Sequence, residues 1–178
     1  AWNTGREEEG GNLGHKLRHK EGYFPCPPAD TMQDLRTEMV MTLQECGLEV
    51  EAHHHEVGTA GQAEIDMRFN SLTAMADSVM YYKYVIRNVA KANGLTVTFM
   101  PKPLWNDNGS GMHTHMSLFQ GDRNTFYDAN DSYRLSRVAR CFVAGLMRHA
   151  EEITAVTNQW VNSYKRLIPG YEAPVYVS

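Results

Sequence analysis

No pair of cysteines in this chain has the C-x-x-C spacing, and the three present, Cys26, Cys46 and Cys141, are odd in number. That pattern excludes a disulfide framework or a thiolate zinc module and is what a reducing compartment gives. Long apolar runs are also missing. The longest, Cys141 to Met147, falls far short of the roughly 20 residues that span a bilayer. The N-terminus lacks the basic, apolar and small-residue succession of a signal peptide. We therefore expect a cytoplasmic protein with no membrane partner. Positive charge is not in excess: the net charge is -4 with histidine neutral. That argues against a nucleic-acid partner, which would call for a basic face. ATP or a small acidic ligand stays possible, since either needs only a few local Arg or Lys residues. Two catalytic signatures are absent as well. There is no G-x-x-x-x-G-K-[ST] phosphate loop, and Thr59 stands where an H-E-x-x-H motif beginning at His55 would need its second histidine. No internal repeat or low-complexity segment occurs.

What is present suits one well-cored domain: 178 residues, 42% hydrophobic and 21% charged. Residues 1–22 are polar and read as solvated loop. Pro25, Pro27 and Pro28 keep the next stretch extended. Asp30 is placed to cap a helix, with Gln33 as its capping-box partner. Met32, Leu35, Met39, Leu43 and Cys46 recur at helical spacing, and Gly47 suits the left-handed terminal position. Leu48 to His54 alternates loosely and Ala63 to Phe69 cleanly, which predicts an antiparallel hairpin with a wide turn. A second helix opens at Asn70 or Ser71, carries Met75, Val79, Tyr82, Ile86 and Val89 on its apolar face, and ends at Gly94. Leu95 to Met100 and Met112 to Leu118 read as strands, and Gly121-Asp122 as a hairpin tip. A third helix is expected over about 132–150, and 158–178 reads as loop. Antiparallel pairs among helices indicate an α+β fold.

Two polar strand faces stand out. One carries Glu64, Asp66 and Arg68; the other carries His113, His115 and Ser117. Such faces are ordinarily solvent faces. Two features favour chemistry here. Three histidines, His53 to His55, run into Glu56 on a strand whose partner carries Glu64. A loop rich in Asn and Gly, residues 106–111, leads straight into the strand with alternating histidines, and glycine there permits close backbone approach to an anion. Two carboxylates with one imidazole, Glu56, Glu64 and His113, suit a fairly hard divalent cation, Mg²⁺ or Mn²⁺.

These segments carry a resemblance. HHEVGTAGQAEI from His54 to Ile65 resembles the metal hairpin of the glutamine synthetase family. NGSGMHTH from Asn108 to His115 is similar to that family's glutamate and metal strand. Lys102-Pro103, NSYKRL from Asn162 to Leu167, PGYEAP from Pro169 to Pro174 and Tyr23 to Pro25 match it in the same order. The wording is nearest the bacterial type.

The resemblance implies a curved antiparallel sheet flanked by helices and an ATP-dependent ligation of ammonia to the γ-carboxylate of L-glutamate. The product is L-glutamine, formed through γ-glutamyl phosphate. It implies two or more Mg²⁺ or Mn²⁺ ions, with Glu56 and Glu64 on one and His113 on the other. Glu51, Phe69, Thr114, His115, Met116 and Ser117 would line the nucleotide. Asn108 and Gly109 would bind glutamate, Arg166 would meet the transferred phosphate, Glu172 would sit on a closing flap, and Tyr23 would lie near the ammonium pocket. Arg166 and Glu172 are the expected catalytic residues. Family chains are more than twice as long, so residues 1–178 are expected to form the central part of the catalytic domain. A β-grasp domain before it and an arginine-rich segment after it would lie outside the sequence. The family pattern also implies a homo-oligomer of stacked rings, a dodecamer, with each active site shared between subunits. A polypeptide of these residues alone is therefore expected to be inactive.

Overall fold

The structure is a computed structural model of the chain, and it describes residues 22–58 and 61–170. Helix α1 spans Gln33–Glu45. Strands β1, Val50–His55, and β2, Ala63–Met67, form an antiparallel hairpin. Helix α2 covers Leu72–Ala92. A short hairpin of β3, Phe119–Gln120, and β4, Arg123–Asn124, follows. Three helices then come in succession: α3 Arg137–Arg148, α4 Ala150–Thr157 and α5 Val161–Arg166. The mixture is α+β, with its strands in two antiparallel pairs.

The core lies between α1, α2 and one face of the first hairpin. Met39 and Leu43 of α1 meet Val85, Ile86, Val89 and Ala90 of α2, and Leu48, Val50, Ile65, Val97 and Phe99 pack around them. The apolar stripe expected on α2 is therefore the buried one, centred nearer its C-terminal half. Both helices end on a left-handed glycine, Gly47 at φ +87° and Gly94 at φ +70°, a conformation that costs glycine nothing.

Asp30 does not cap α1. The residue at the cap position is Met32, which has no side-chain capping bond. The Asp30 carboxylate instead accepts from the Met32 N–H at 3.1 Å and pairs with the Arg36 guanidinium through two hydrogen bonds. A charged bidentate partner is a stronger attraction than one further backbone amide.

Leu95–Met100 keeps its alternation, for Val97 and Phe99 turn toward the core while Thr96 and Thr98 face out. Yet neither this segment nor Met112–Leu118 enters a ladder among the described residues. Side-chain alternation reports an extended backbone, but a strand also needs a neighbour to take its N–H and C=O groups.

The third helix starts at Arg137, five residues later than its periodicity suggests. Asp131 is the cause. Its carboxylate accepts from the N–H groups of Tyr133 and Leu135 and from Arg140, which holds the preceding segment in a loop. Ser136 then caps α3, its hydroxyl accepting from the Ala139 N–H at 3.1 Å. The expected loop after Asn158 contains α5, a helix of six residues whose apolar spacing is too short to register as a period.

Candidate metal centre and the loop beside it

The β1–β2 register explains why Leu48 to His54 alternates only loosely. Val50 pairs with Met67, but Ala52 pairs with Asp66, so the ladder slips by one residue and leaves Glu51 without a partner. This bulge lets Val50 join the core while Ala52 and His54 share the opposite face with Asp66 and Glu64. A bulge re-aims side chains in this way beside many functional sites.

On that face His54 lies directly across from Glu64. Its Nε2 is 3.7 Å from a Glu64 carboxylate oxygen, and its Nδ1 is 3.6 Å from one of Glu56. The ligand atoms of His54, Glu56 and Glu64 all lie within 4.8 Å of one another. The Nδ1–H of His54 donates to the His55 carbonyl at 3.2 Å. With Nδ1 engaged there, Nε2 is the ring nitrogen turned toward Glu64. Two carboxylates and an imidazole converging in this way fit a divalent cation with oxygen and imidazole preference.

Charge accumulates around this group. The Asp66 carboxyl is pushed above its ordinary range by burial and by the neighbouring Glu64 carboxylate, with His54 opposing. The Tyr82 phenol, half-buried behind the hairpin, is pushed up to about 12, first by burial and then by the negative charge of Glu64 and Asp66. His53 is pushed down first by burial and then by the Arg36 guanidinium and the neighbouring His54, against a pull from Asp30. His55 is buried and structural. Its Nδ1 binds the Gly22 carbonyl at 3.0 Å.

Gln62 joins the hairpin to the second expected site segment. Its backbone carbonyl accepts from the Glu56 N–H at 2.7 Å and its Oε1 from the Gly58 N–H at 2.8 Å. Its Nε2 donates to the Gly109 carbonyl at 2.9 Å. The loop so held is buried at Asp107 and Asn108. The Lys102 ammonium donates to the Asp107 carbonyl, and Asn162 of α5 clamps the Lys102 backbone from both sides, at 2.7 and 2.9 Å. Two glycines admit Arg166. A Cβ on Gly109 would stand 2.6 Å from the Pro101 carbonyl and 2.7 Å from the Arg166 Cγ, and one on Gly111 would stand 2.5 Å from an Arg166 guanidinium nitrogen. The side-chain oxygen of Asn108 is buried with no hydrogen-bond partner. An orphaned buried acceptor beside an arginine is the kind of feature a bound polar group satisfies.

The expected site residues thus fall into separate places. Glu56 and Glu64 come together, joined by His54 rather than by His113. His113 is exposed on the extended segment, with its Nε2 near Gly111, close to Arg166. Asn108, Gly109 and Arg166 form one cluster. Thr114, His115, Met116 and Ser117 are exposed on the same extended segment as His113, and Glu51 is exposed at the bulge. Phe69 is exposed just beyond β2, at the rim of a shallow depression with Leu48, Met67 and Met75. Tyr23 lies against the His54 ring, centroids 5.5 Å apart. Glu172 lies outside the described residues. Sequence reasoning passed over His54, because a histidine on a strand is more often hydrogen-bonded filler. It also passed over Gln62, whose role depends on a loop 47 residues away.

Fold and site together define an α+β domain whose hairpin presents a carboxylate–imidazole cluster beside a glycine loop seated on an arginine. The chain belongs to the glutamine synthetase catalytic-domain family, whose model matches residues 3–178. It is 60% identical over 175 residues to a glutamine synthetase of Frankia alni, covering 98% of this chain and 37% of that protein. Among solved structures, a Plasmodium falciparum glutamine synthetase superimposes with a TM-score of 0.85 at 35% identity, over 90% of this chain and 31% of that one. A protein named GmaS, solved as an ADP complex, gives a TM-score of 0.73 at 35% identity, over 87% of this chain and 36% of that one. The chain therefore spans under two fifths of the length of the relatives it matches.

Proposed function

We propose that the full-length protein carrying this segment ligates ammonia to the γ-carboxylate of L-glutamate through γ-glutamyl phosphate, with conversion of ATP to ADP and phosphate. The observation that carries this is the convergence of Glu56, Glu64 and His54 within 4.8 Å in a chain whose family is that of glutamine synthetases. A carboxylate is a poor electrophile, so the reaction needs it activated as γ-glutamyl phosphate before an amine attacks. Bound divalent cations, Mg²⁺ or Mn²⁺, supply charge neutralisation and Lewis acidity for that transfer. Glu56 and Glu64 hold one of them, and His113 contributes to a second.

Asn108 offers its unpartnered oxygen to the ammonium end of glutamate, with Gly109 beside it. Arg166, seated against Gly109 and Gly111, places a fixed positive charge where negative charge builds on the phosphoryl group. Glu51, Phe69 and the segment Thr114 to Ser117 border the nucleotide, and that a relative named GmaS is solved as an ADP complex supports nucleotide binding in this fold. Tyr23 borders the ammonium pocket. Glu172 takes a proton from ammonium so that neutral ammonia attacks, and a flap carrying it excludes water from the acyl phosphate. The same family reading makes this the central part of a catalytic domain in a cytoplasmic homo-oligomer of stacked rings, with sites shared between subunits.

The test is turnover by the full-length protein with glutamate, ATP and a panel of amines. Glutamine and ADP should form together from ammonium. ATP-dependent turnover of an amine such as putrescine, without any of ammonium, would overturn the assignment.

A further inference from the structure

His54 stands near both carboxylates of the cluster, and on its own strand its ring is held through Nδ1 by the His55 carbonyl at 3.2 Å. The ring is also bracketed from elsewhere. Tyr23 meets it edge-on, centroids 5.5 Å apart and planes at 82°, and Phe24 lies tilted against it at 5.4 Å and 43°. Tyr23 and Phe24 also touch each other, at 6.4 Å. Phe24 takes a left-handed backbone, φ 56°, which a bulky residue rarely adopts without a surrounding reason. Its N–H donates to the His55 carbonyl at 3.0 Å, so the turn is tied to the residue next to His54. Despite this, Phe24 is 65% exposed. Burial of the ring in the core therefore does not account for an aromatic residue in a conformation that Gly or Asn would adopt more easily.

We propose that Phe24 is a positioning residue for the cation site. Its ring, with that of Tyr23, holds the His54 imidazole so that one nitrogen faces Glu56 and the other faces Glu64. Rotation of the imidazole about its Cβ–Cγ bond would take both nitrogens off the carboxylates and let these swing apart. The bracket thus keeps the cluster assembled before the cation arrives. Groups that orient metal-binding side chains typically change affinity about 10- to 100-fold when removed.

The inference rests on Glu56 and Glu64 being cation ligands, and the experiment separates the two. Mn²⁺ is titrated into the full-length protein and free Mn²⁺ is read by electron paramagnetic resonance, for wild type, Phe24→Gly, Phe24→Tyr and Glu64→Gln. Phe24→Gly removes the ring while relieving the backbone; it should weaken Mn²⁺ binding about tenfold, and Phe24→Tyr should restore it. The Mn²⁺ concentration for half-maximal activity should rise by the same factor, with kcat at saturating Mn²⁺ preserved. A merely structural role would lower kcat through loss of active protein and leave that half-saturation point unmoved. If Phe24→Gly does not fold, Phe24→Leu, which keeps bulk but no ring, takes its place. Unchanged Mn²⁺ affinity without the ring, where Glu64→Gln has lost it, overturns the positioning role alone. Wild-type affinity in Glu64→Gln overturns the cation site, and the positioning role with it.

Discussion

Asp30 and Arg36 are almost wholly shielded, with side chains 2% and 4% exposed, so each depends on the other. Burial would raise the Asp30 carboxyl, but the Arg36 hydrogen bonds and the Met32 N–H outweigh it and hold the group below its usual range. Removing one partner of a buried pair strands a charge, at a cost of about 3 kcal/mol. Asp30→Ala should lower unfolding free energy by that order in a urea titration. The sign with pH follows from the depressed folded value. The pair's contribution is fully present above the unfolded carboxylate value of about 3.9 and is lost as pH falls through the lower folded one. Arg36→Met should therefore flatten the acid limb of the stability profile. Single residues of this sort were half legible. The sequence marks Asp30 as a side chain with a local task, but its partner is chosen by which charged group α1 brings over it.

On the scale of elements, the bulge in β1 and the seat of α5 decide what the site looks like. Deleting Glu51 would restore an unbroken ladder in which Val50 still pairs with Met67 on the core face and Ala52 with Asp66 on the polar face, because only the bulged residue is lost. Val50 stays packed on the core, so the melting temperature of the deletion variant should not fall, and a clear drop in a thermal melt would show that the bulge itself is needed for stability. The loop at 107–111 is tied to α5 through Asn162 and Arg166. Gly109→Ala puts a methyl group 2.7 Å from the Arg166 Cγ, so the guanidinium must move. A displacement near 1 Å in a catalytic group can cost about 100-fold. The expected result in full-length protein is a kcat lower by that order with the circular dichroism unchanged. Helices α1 and α2, with their terminal glycines, were plain from the sequence because their periods run for 13 and 21 residues. Helix α5 was not, because its six residues offer less than two turns. The strand-like segments Leu95–Met100 and Met112–Leu118 are extended as their alternation indicates, but neither joins a ladder among the described residues.

For the molecule as a whole, the first core is small, and apolar side chains such as Met112, Met116, Leu118 and Phe119 remain 45–72% exposed. Among the described residues the cation cluster presents two carboxylates and one imidazole, fewer than a six-coordinate ion requires. A polypeptide of residues 1–178 alone should accordingly form no glutamine from glutamate, ammonium and ATP. Detection of labelled glutamine above a Glu64→Gln control would refute that expectation. Among the described residues no helix is long and apolar enough to cross a membrane, and all three cysteines are free and exposed.

By itself, the sequence determined the α+β class, the two long helices, the pairing of the first hairpin and the family, because these depend on periodicity, on turn residues and on short blocks of side chains in order. It also brought Glu56 and Glu64 to one site, since a hairpin places residues on either side of its turn together. Tertiary structure alone decided that His54 stands between those carboxylates, that Glu51 is bulged out, that Gln62 ties the hairpin to Gly109 and that Phe24 braces the imidazole. Each of these is a contact between side chains distant in sequence or a slip in register. The periodicity of a single strand is blind to both, because it records which way a side chain points and not what is waiting there.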